Sequence, residues 1–597
     1  AALASLAEVE RREGWLGEAQ RRIDEAIEFA RRERETGEIG PLLGRRADLL
    51  AQLGRGDDAR REWSRAARQL DDGGDRREWI RQQVRLAGAM ARERRWEEAE
   101  DHALRSLGRN RNALGYTGAQ VSYADPGLAA EALLVMAAMH AARERLDEAR
   151  QALGQADTIL EREGVDSGRG RVAAARITLE LLARDPEAAA AVLAALPPDL
   201  ADAPILHHAR ACLSLEQGDT AAAERHLRAA LPSDAGVAAS PPWTAHPPLL
   251  PAAGASRDAL IALLADQGRG RELVEQLLSE GWIAGSSAPL PASEIPVLGV
   301  VLTREGGWTV LVSAEQSSIV PIELPHQQLE DAVLLLADPP VAGARARQLE
   351  DWKGAGALLY DALIGPHEAG LADLDGGRLL FALDPTLANL SEAALWDGEA
   401  HLVERFVLSR SPAGGAAAAP YDGKPRLREA EVFDGLPSGP SASLHILQDR
   451  VRTAVVREGL AALSHPADPP PSGLHLAGAV RVHPLDPVLS RMVLGGDVAD
   501  AVAVVDWHPR RRWTVLETPV AAGTAASTRT LAGALVASGS PHVLLLPAGP
   551  ERAPLYKALL KATDRQPLPE ALAKAQRALI AAGAPVEDWA GVVVVGW

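Results

Sequence analysis

Pairs of small residues seven positions apart recur along the first 230 residues, and they fix what this part of the chain can become. The pairs are Ala19 with Ala26, Ala59 with Ala66, Ala99 with Ser106, Ala149 with Ala156, Ala188 with Ala195, and Ala223 with Ala230. An acidic residue precedes most of them (Glu18, Asp58, Glu98, Glu148, Glu187), and a turn marked by Gly14, Gly54, Trp96 or Gly218 often comes before that. Seven residues span two helical turns, so each pair lies on one helix face, where small side chains let a neighbouring helix approach closely. Ala19, Ala59 and Ala99 are forty residues apart and the later intervals run from thirty-five to fifty. The pattern predicts helix–turn–helix units packed in series.

Composition changes along the chain. Ala, Leu, Arg and Glu dominate residues 1 to 230, whereas Val, Gly and Pro become frequent from about residue 290. Two architectures in tandem are therefore expected. Between them, Pro232 through Pro251 removes backbone donors and fixes φ repeatedly, which predicts a loop or semi-rigid linker. One further helix pair, Asp258 to Leu264 and Glu272 to Leu278, would cap the helical array or join the next domain. The chain opens inside a helical pattern without Met, so further protein is expected upstream of Ala1 in the natural product.

The formal net charge of −18 argues against general affinity for nucleic acid or anionic membranes, both of which need clustered positive charge. No apolar run reaches the roughly 18 residues of a membrane span. With Cys212 as its single cysteine, the chain has neither an internal disulfide nor a Cys-based zinc site, which suits a reducing cytoplasm. Cys212 itself reads as a small apolar residue on a helix.

From Ile295 the periodicity switches. Val297 to Thr303 and Trp308 to Val312 flank Glu305-Gly306-Gly307 as a β-hairpin, a helix covers Leu358 to Ile364, and a strand covers Arg378 to Leu383. Strands alternating with helices predict an α/β sandwich on a mixed, largely parallel sheet.

The helical half resembles the tetratricopeptide repeat (TPR), whose units pack through small residues at a period of about 34 residues. The later segments resemble a CHAT domain, a caspase-related module of the separase-like peptidases. They are Leu358 to Pro366, His401 to Phe406 with Ser409-Arg410-Ser411-Pro412, Glu570 to Arg577, and Asp588 to Gly596. The resemblance implies an N-terminal TPR-like α-solenoid over residues 1–230, a Pro-rich linker with a possible capping helix pair over 231–292, and a caspase-like α/β domain over 293–597. It also implies partner-triggered proteolysis in bacterial defence or cell-fate control.

The family's catalytic positions are altered here. The segment Leu474 to Val480 resembles the strand that ends in the catalytic histidine, and Ala479 stands in the place of the base. Thr514 to Pro519 resembles the strand that ends in the cysteine, and Pro519 stands in the nucleophile's place. A cysteine peptidase needs a thiolate and a base, so the resemblance points to a pseudopeptidase that binds a protein or peptide partner in the TPR-like groove. Two alternatives remain: a hydrolase with a non-cysteine nucleophile, and a structural subunit of a complex whose active peptidase is a related chain.

For a replacement nucleophile the candidates are Ser490, Thr518 and Thr524, with His475, His483 and His508 as bases and Asp486 or Asp506 as orienting groups. None forms a compact nucleophile signature. Trp507, Arg510, Arg511, Arg512 and Trp513 combine cationic and aromatic side chains in one short segment, the chemistry favoured at protein interfaces. A solvated turn with inward tryptophans is the alternative reading. No nucleotide or metal signature occurs. His207-His208 diverges by about 100° on a helix and makes a poor chelate. Asn389-Leu390-Ser391 matches a glycosylation sequon that a chain of this class would not use.

Overall fold

The structure is a computed structural model. It describes residues 2–12, 16–52, 55–73, 75–110, 123–165, 168–197, 200, 203–238, 249–250, 254–279, 295–314, 316–340, 343–374, 376–411, 429–434, 446–447, 453–456, 473–477, 479–481, 491–494, 497–500, 504, 513–518, 528, 531–532, 534–536, 540, 542–548, 552–563 and 566–596. The chain divides into two compact units, Ala1–Leu263 and Leu264–Trp597.

The first unit is helical. Its helices are α1 (Ala2–Arg12), α2 (Leu16–Arg32), α3 (Thr36–Gln52), α4 (Gly56–Gly73), α5 (Arg76–Arg92), α6 (Trp96–Asn110), α7 (Pro126–Ala142), α8 (Leu146–Arg162), α9 (Arg169–Leu182), α10 (Pro186–Ala194), α11 (Pro204–Glu216), α12 (Thr220–Ala238) and α13 (Ala255–Asp266), whose end crosses the boundary. Each packs chiefly on its neighbours in sequence: α1 on α2, α3 on α4, α5 on α6, α7 on α8, α9 on α10 and α11 on α12. The expected small pairs are buried at these seams, from Ala19 and Ala26 to Ala223 and Ala230. The fifth pair is displaced by one residue. Ala189, not Ala188, is buried, while the Ala188 N–H is capped by Asp185 Oδ1 at 2.8 Å and Ala195 lies exposed beyond the helix end.

One turn recurs between the paired helices. Arg94, Glu144 and Arg184 take φ of 59°, 60° and 58°, with Gly218 at 74° in the equivalent place. The next residue's N–H then reaches back to a carbonyl five positions earlier: Arg95 to Met90, Arg145 to His140, Asp185 to Glu180 and Asp219 to Ser214, each at 2.9 Å. This Schellman closure satisfies the last helical carbonyls and reverses the chain, even where the left-handed residue is not glycine.

In the second unit, α14 (Gly270–Ser279) packs on the first strands of the sheet. A Cβ on Gly299 would lie 2.7 Å from Val274, and one on Gly270 would lie 2.9 Å from Val310, so both glycines are needed for that approach. The strands are β1 (Val297–Thr303), β2 (Gly306–Val312), β3 (Ser317–Pro321), β4 (Arg378–Leu383), β5 (Val407–Arg410), β6 (Glu429–Asp434), β7 (Thr453–Val456), β8 (Gly473–Ala477), β9 (Ala479–Arg481), β10 (Arg491–Leu494), β11 (Asp497–Asp500), β12 (Trp513–Thr518), β13 (His542–Pro547) and β14 (Val593–Gly596). Among the described residues, eleven form a mixed sheet in the order β3-β2-β1-β4-β5-β14-β13-β12-β8-β6-β7, and β11-β10-β9 form a small antiparallel one. Strands β1, β4, β5 and β14 run parallel, as do β13, β12, β8, β6 and β7, and the two blocks meet at the antiparallel β13–β14 pair.

Helices α15 (His326–Ala337) and α16 (Ala346–Leu363) cover β1 and β4 through Leu336, Trp352, Leu359 and Leu363. Helices α17 (Ala553–Thr563) and α18 (Leu568–Ala581) share a core with β6, β12, β13 and β14 through Tyr556, Leu559, Leu568 and Leu572, and α18 also packs on β5. The β1–β2 hairpin and β4 fall where the alternating apolar residues predict them.

A charge lies inside the helical unit. Asp48 of α3 accepts from Trp63 Nε1 of α4 at 2.9 Å and pairs with Arg85 of α5 at 2.7 Å. Burial pushes Asp48 up to about 6 and holds Arg85 below its ordinary value, and their mutual attraction only partly offsets this. The folded state thus holds the Asp48 proton more tightly than the unfolded chain does. Its stabilising contribution is fully present below about 3.8 and is lost as pH rises to about 6. Relative to Asp48→Asn, which does not titrate, the wild-type helices α3 to α5 should lose about 2 to 3 kcal/mol of stability between pH 4 and 6.5, read by hydrogen exchange. A pH-independent difference would refute this.

Candidate functional site at the ends of β8 and β12

Strands β8 and β12 lie side by side in parallel, with Val515 opposite His475 and Glu517 opposite Ala477. Alternation sends Leu474, Leu476 and Leu516 into one apolar layer and Val515 into the other. His475 and Glu517 share that second layer, where Val432, Leu544, Leu546 and Leu559 surround them. A charge-bearing side chain is tolerated in such a layer only with partners.

The partners are each other and Tyr556 of α17. His475 Nε2 lies 2.9 Å from Glu517 Oε2, and His475 Nδ1 lies 3.1 Å from the Tyr556 hydroxyl. All three are buried, and the two rings meet edge-on at 5.9 Å. The network assigns the protons: Tyr556 O–H donates to Nδ1, and Nε2–H donates to the carboxylate. Burial, reinforced by the Glu517 charge, raises Tyr556 well above its ordinary value, so the phenol keeps its proton. Both imidazole nitrogens are therefore committed, and His475 has no lone pair to offer a substrate.

Ala479 opens β9 two residues beyond β8 and brings no titratable group to this edge. Pro519 lies outside the described residues, as do Ser490, Thr524, His483, His508, Asp486, Asp506, Trp507, Arg510, Arg511 and Arg512. Trp513 begins β12. Thr518 ends it, nearly buried, and its carbonyl accepts from Ala548 N at 2.8 Å. Cys212 is half-buried on α11 in the helical unit, with Sγ 3.7 Å from His208 Nε2. Burial pushes its thiol above the ordinary value, the opposite of an activated thiolate. His207 stacks on His226 at 5.8 Å while His208 bonds Ser256 at 3.0 Å, so the two imidazoles diverge as expected. Among the described residues no group of three or more candidate ligands could hold a metal ion. Leu390 and Ser391 of the sequon are buried, and Ser391 Oγ accepts from Gly591 N at 3.1 Å.

The segments that carry the CHAT resemblance meet in one knot beneath the sheet. Arg577 donates to Val403 O at 2.7 Å and Phe406 O at 3.0 Å, Gln576 donates to Trp589 O at 2.9 Å, and Arg405 bonds both Tyr360 and Glu368. His401 packs edge-on against Trp396 at 4.7 Å and Trp589 at 4.9 Å. These are framework contacts. The His475–Glu517 pair went unread in the sequence because its members are 42 residues apart; the signal was a lone Glu inside the apolar run Trp513 to Thr518.

No family model matches the chain, and no curated protein does. Among solved structures, it is similar to BtubC (BKLC) from P. vanneervenii, with 17% identity over 38% of this chain and 91% of that one, at a TM-score of 0.29. It is also similar to the Saccharomyces cerevisiae separase–securin complex, with 7% identity and a TM-score of 0.40. The whole chain is matched there and spans about half, 53%, of that one.

Replacing Glu517 by Leu leaves His475 buried without its acceptor and should cost about 3 kcal/mol in denaturant unfolding of the second unit. The double variant with His475→Leu should recover much of that loss, giving strong coupling in a double-mutant cycle. Additive costs would show that the two side chains do not act together.

Proposed function

We propose that this chain is a protein-binding adaptor: a TPR-like solenoid that holds a partner, joined to a CHAT-like, caspase-fold domain that no longer cuts. The observation that carries the reading is the state of the β8 and β12 ends. Residues 264 to 597 contain no cysteine, Ala479 stands in the place of the base, and the nearby His475 is spent on Glu517 and Tyr556. Nucleophilic catalysis needs an exposed nucleophile beside a base with a free lone pair, and the described part of this edge offers neither. The serial helix pairs support partner binding, because stacked hairpins present extended surfaces by construction. No helix among the described residues is long and apolar enough to cross a membrane.

The test is affinity purification of the full chain from its native host, followed by cross-linking and mass spectrometry. The expected result is a stoichiometric protein partner whose cross-links fall within residues 2–263. Cross-links confined to the second unit, or the absence of any stoichiometric protein, would overturn the adaptor reading.

A further inference from the structure

A second hydrogen-bond chain lies at the opposite edge of the sheet, on β3, and unlike the first it ends at an exposed hydroxyl. Ser318 is exposed, whereas His367, in the short turn Gly365–His367, is buried. Ser318 Oγ lies 2.8 Å from His367 Nδ1, and His367 Nε2 lies 2.9 Å from Thr309 Oγ1 on β2.

The β2–β3 register explains how they meet. Leu311 faces Ser318 and Thr309 faces Val320, so Thr309, Leu311, Ser318 and Val320 share one face of the hairpin. The segment carrying His367 packs there closely: a Cβ on Gly370 would lie 3.0 Å from Leu311.

The direction of the chain is set from its far end. The Thr309 hydroxyl donates to Val320 O at 3.4 Å, so its oxygen is left to accept Nε2–H from His367. That places the proton on Nε2 and leaves the Nδ1 lone pair to accept the Ser318 O–H. The imidazole is in the tautomer required of a general base. Burial pushes His367 below its ordinary value, opposed in part by a hydrogen bond with the Thr309 backbone, so the ring is neutral at neutral pH.

We propose that Ser318 is an activated nucleophile that accepts the acyl group of an activated carboxylic ester, with His367 as its base and Thr309 as the positioning residue that fixes the imidazole tautomer. In the acyl-transfer step the Oγ–C bond forms and the ester C–O bond breaks. The serine proton passes to His367 Nδ1 and leaves with the departing alkoxide as alcohol. Water attacks the acyl-serine by the reverse proton path and releases the carboxylic acid. The third member is a hydroxyl rather than a carboxylate, so the imidazolium gains little stabilisation. The substrates are therefore esters with good leaving groups, not peptides. The site is independent of the adaptor reading and survives its failure.

The sequence supplies an internal control. Ser317 is also exposed, but it faces the opposite side, toward α14, where a Cβ on Gly270 would lie 3.1 Å from its own Cβ. The test uses the full chain with a phosphonyl fluoride probe, whose P–F bond opens under the same attack and releases fluoride, followed by peptide mapping. The expected result is one adduct on Ser318, none on Ser317, and none in Ser318→Ala. Thr309→Val, which keeps the shape and removes the hydroxyl, should slow labelling by roughly 10-fold or more. Thr309→Ser should restore it, which a purely steric role for Thr309 would not do. Absence of an adduct on Ser318, equal labelling of Ser317, or labelling of Thr309→Val at the wild-type rate would overturn the proposal.

Discussion

The frame of the second unit depends on a guanidinium buried in the sheet. Arg410, at the end of β5, forms a two-pronged pair with Glu392 and donates to Ala388 O at 2.8 Å and to Leu390 O. With side-chain exposures of 5% and 4%, neither ion has water to fall back on. Removing either partner would strand the other, a penalty of several kcal/mol. That constraint fixes the segment from Ala388 to Glu392 against β5. Ser391 then accepts from Gly591 N–H just before β14, which pairs with β5. One buried charge thus organises the centre of the sheet, and the antiparallel junction of its two strand blocks follows immediately at β13.

That arrangement gives the segments that resemble a CHAT domain a role in holding this fold together. Arg410, Arg577, Trp589 and His401 hold strands and helices together whether or not a peptide is cut. Losing Glu517 or His475 would leave a buried polar group without a partner.

The helical half was legible because its constraint is local: a small residue at a helix seam must recur with the helical period, whatever its sequence neighbours. The reading slipped at the fifth pair, where the run from Ala188 to Ala191 offers several equally small candidates and only the capping of Ala188 by Asp185 fixes the register. The β1–β2 hairpin was legible for the same local reason, with turn residues between two apolar runs. Sheet order was not, since β5, β14 and β13 are neighbours brought from distant parts of the chain. Both imidazole networks were hidden likewise. His475 finds Glu517 at 42 residues and Tyr556 at 81, while His367 finds Ser318 at 49 and Thr309 at 58. No periodicity or motif spans such separations; strand register and the packing of a helix or turn on the sheet create them.

The two histidines then diverge in chemistry through their surroundings alone. His475 has a donor on one nitrogen and a carboxylate on the other, all within the core, and is structural. His367 receives its orientation from a hydroxyl and spends its free nitrogen on a serine at the surface. On the proposed adaptor function the chain cleaves no peptide. The direct measurement is incubation of the purified full chain, alone and with its native partner, with a proteome-derived peptide library, reading new termini by mass spectrometry. The expected result is no termini beyond the blank in either case. A reproducible cleavage motif would contradict it.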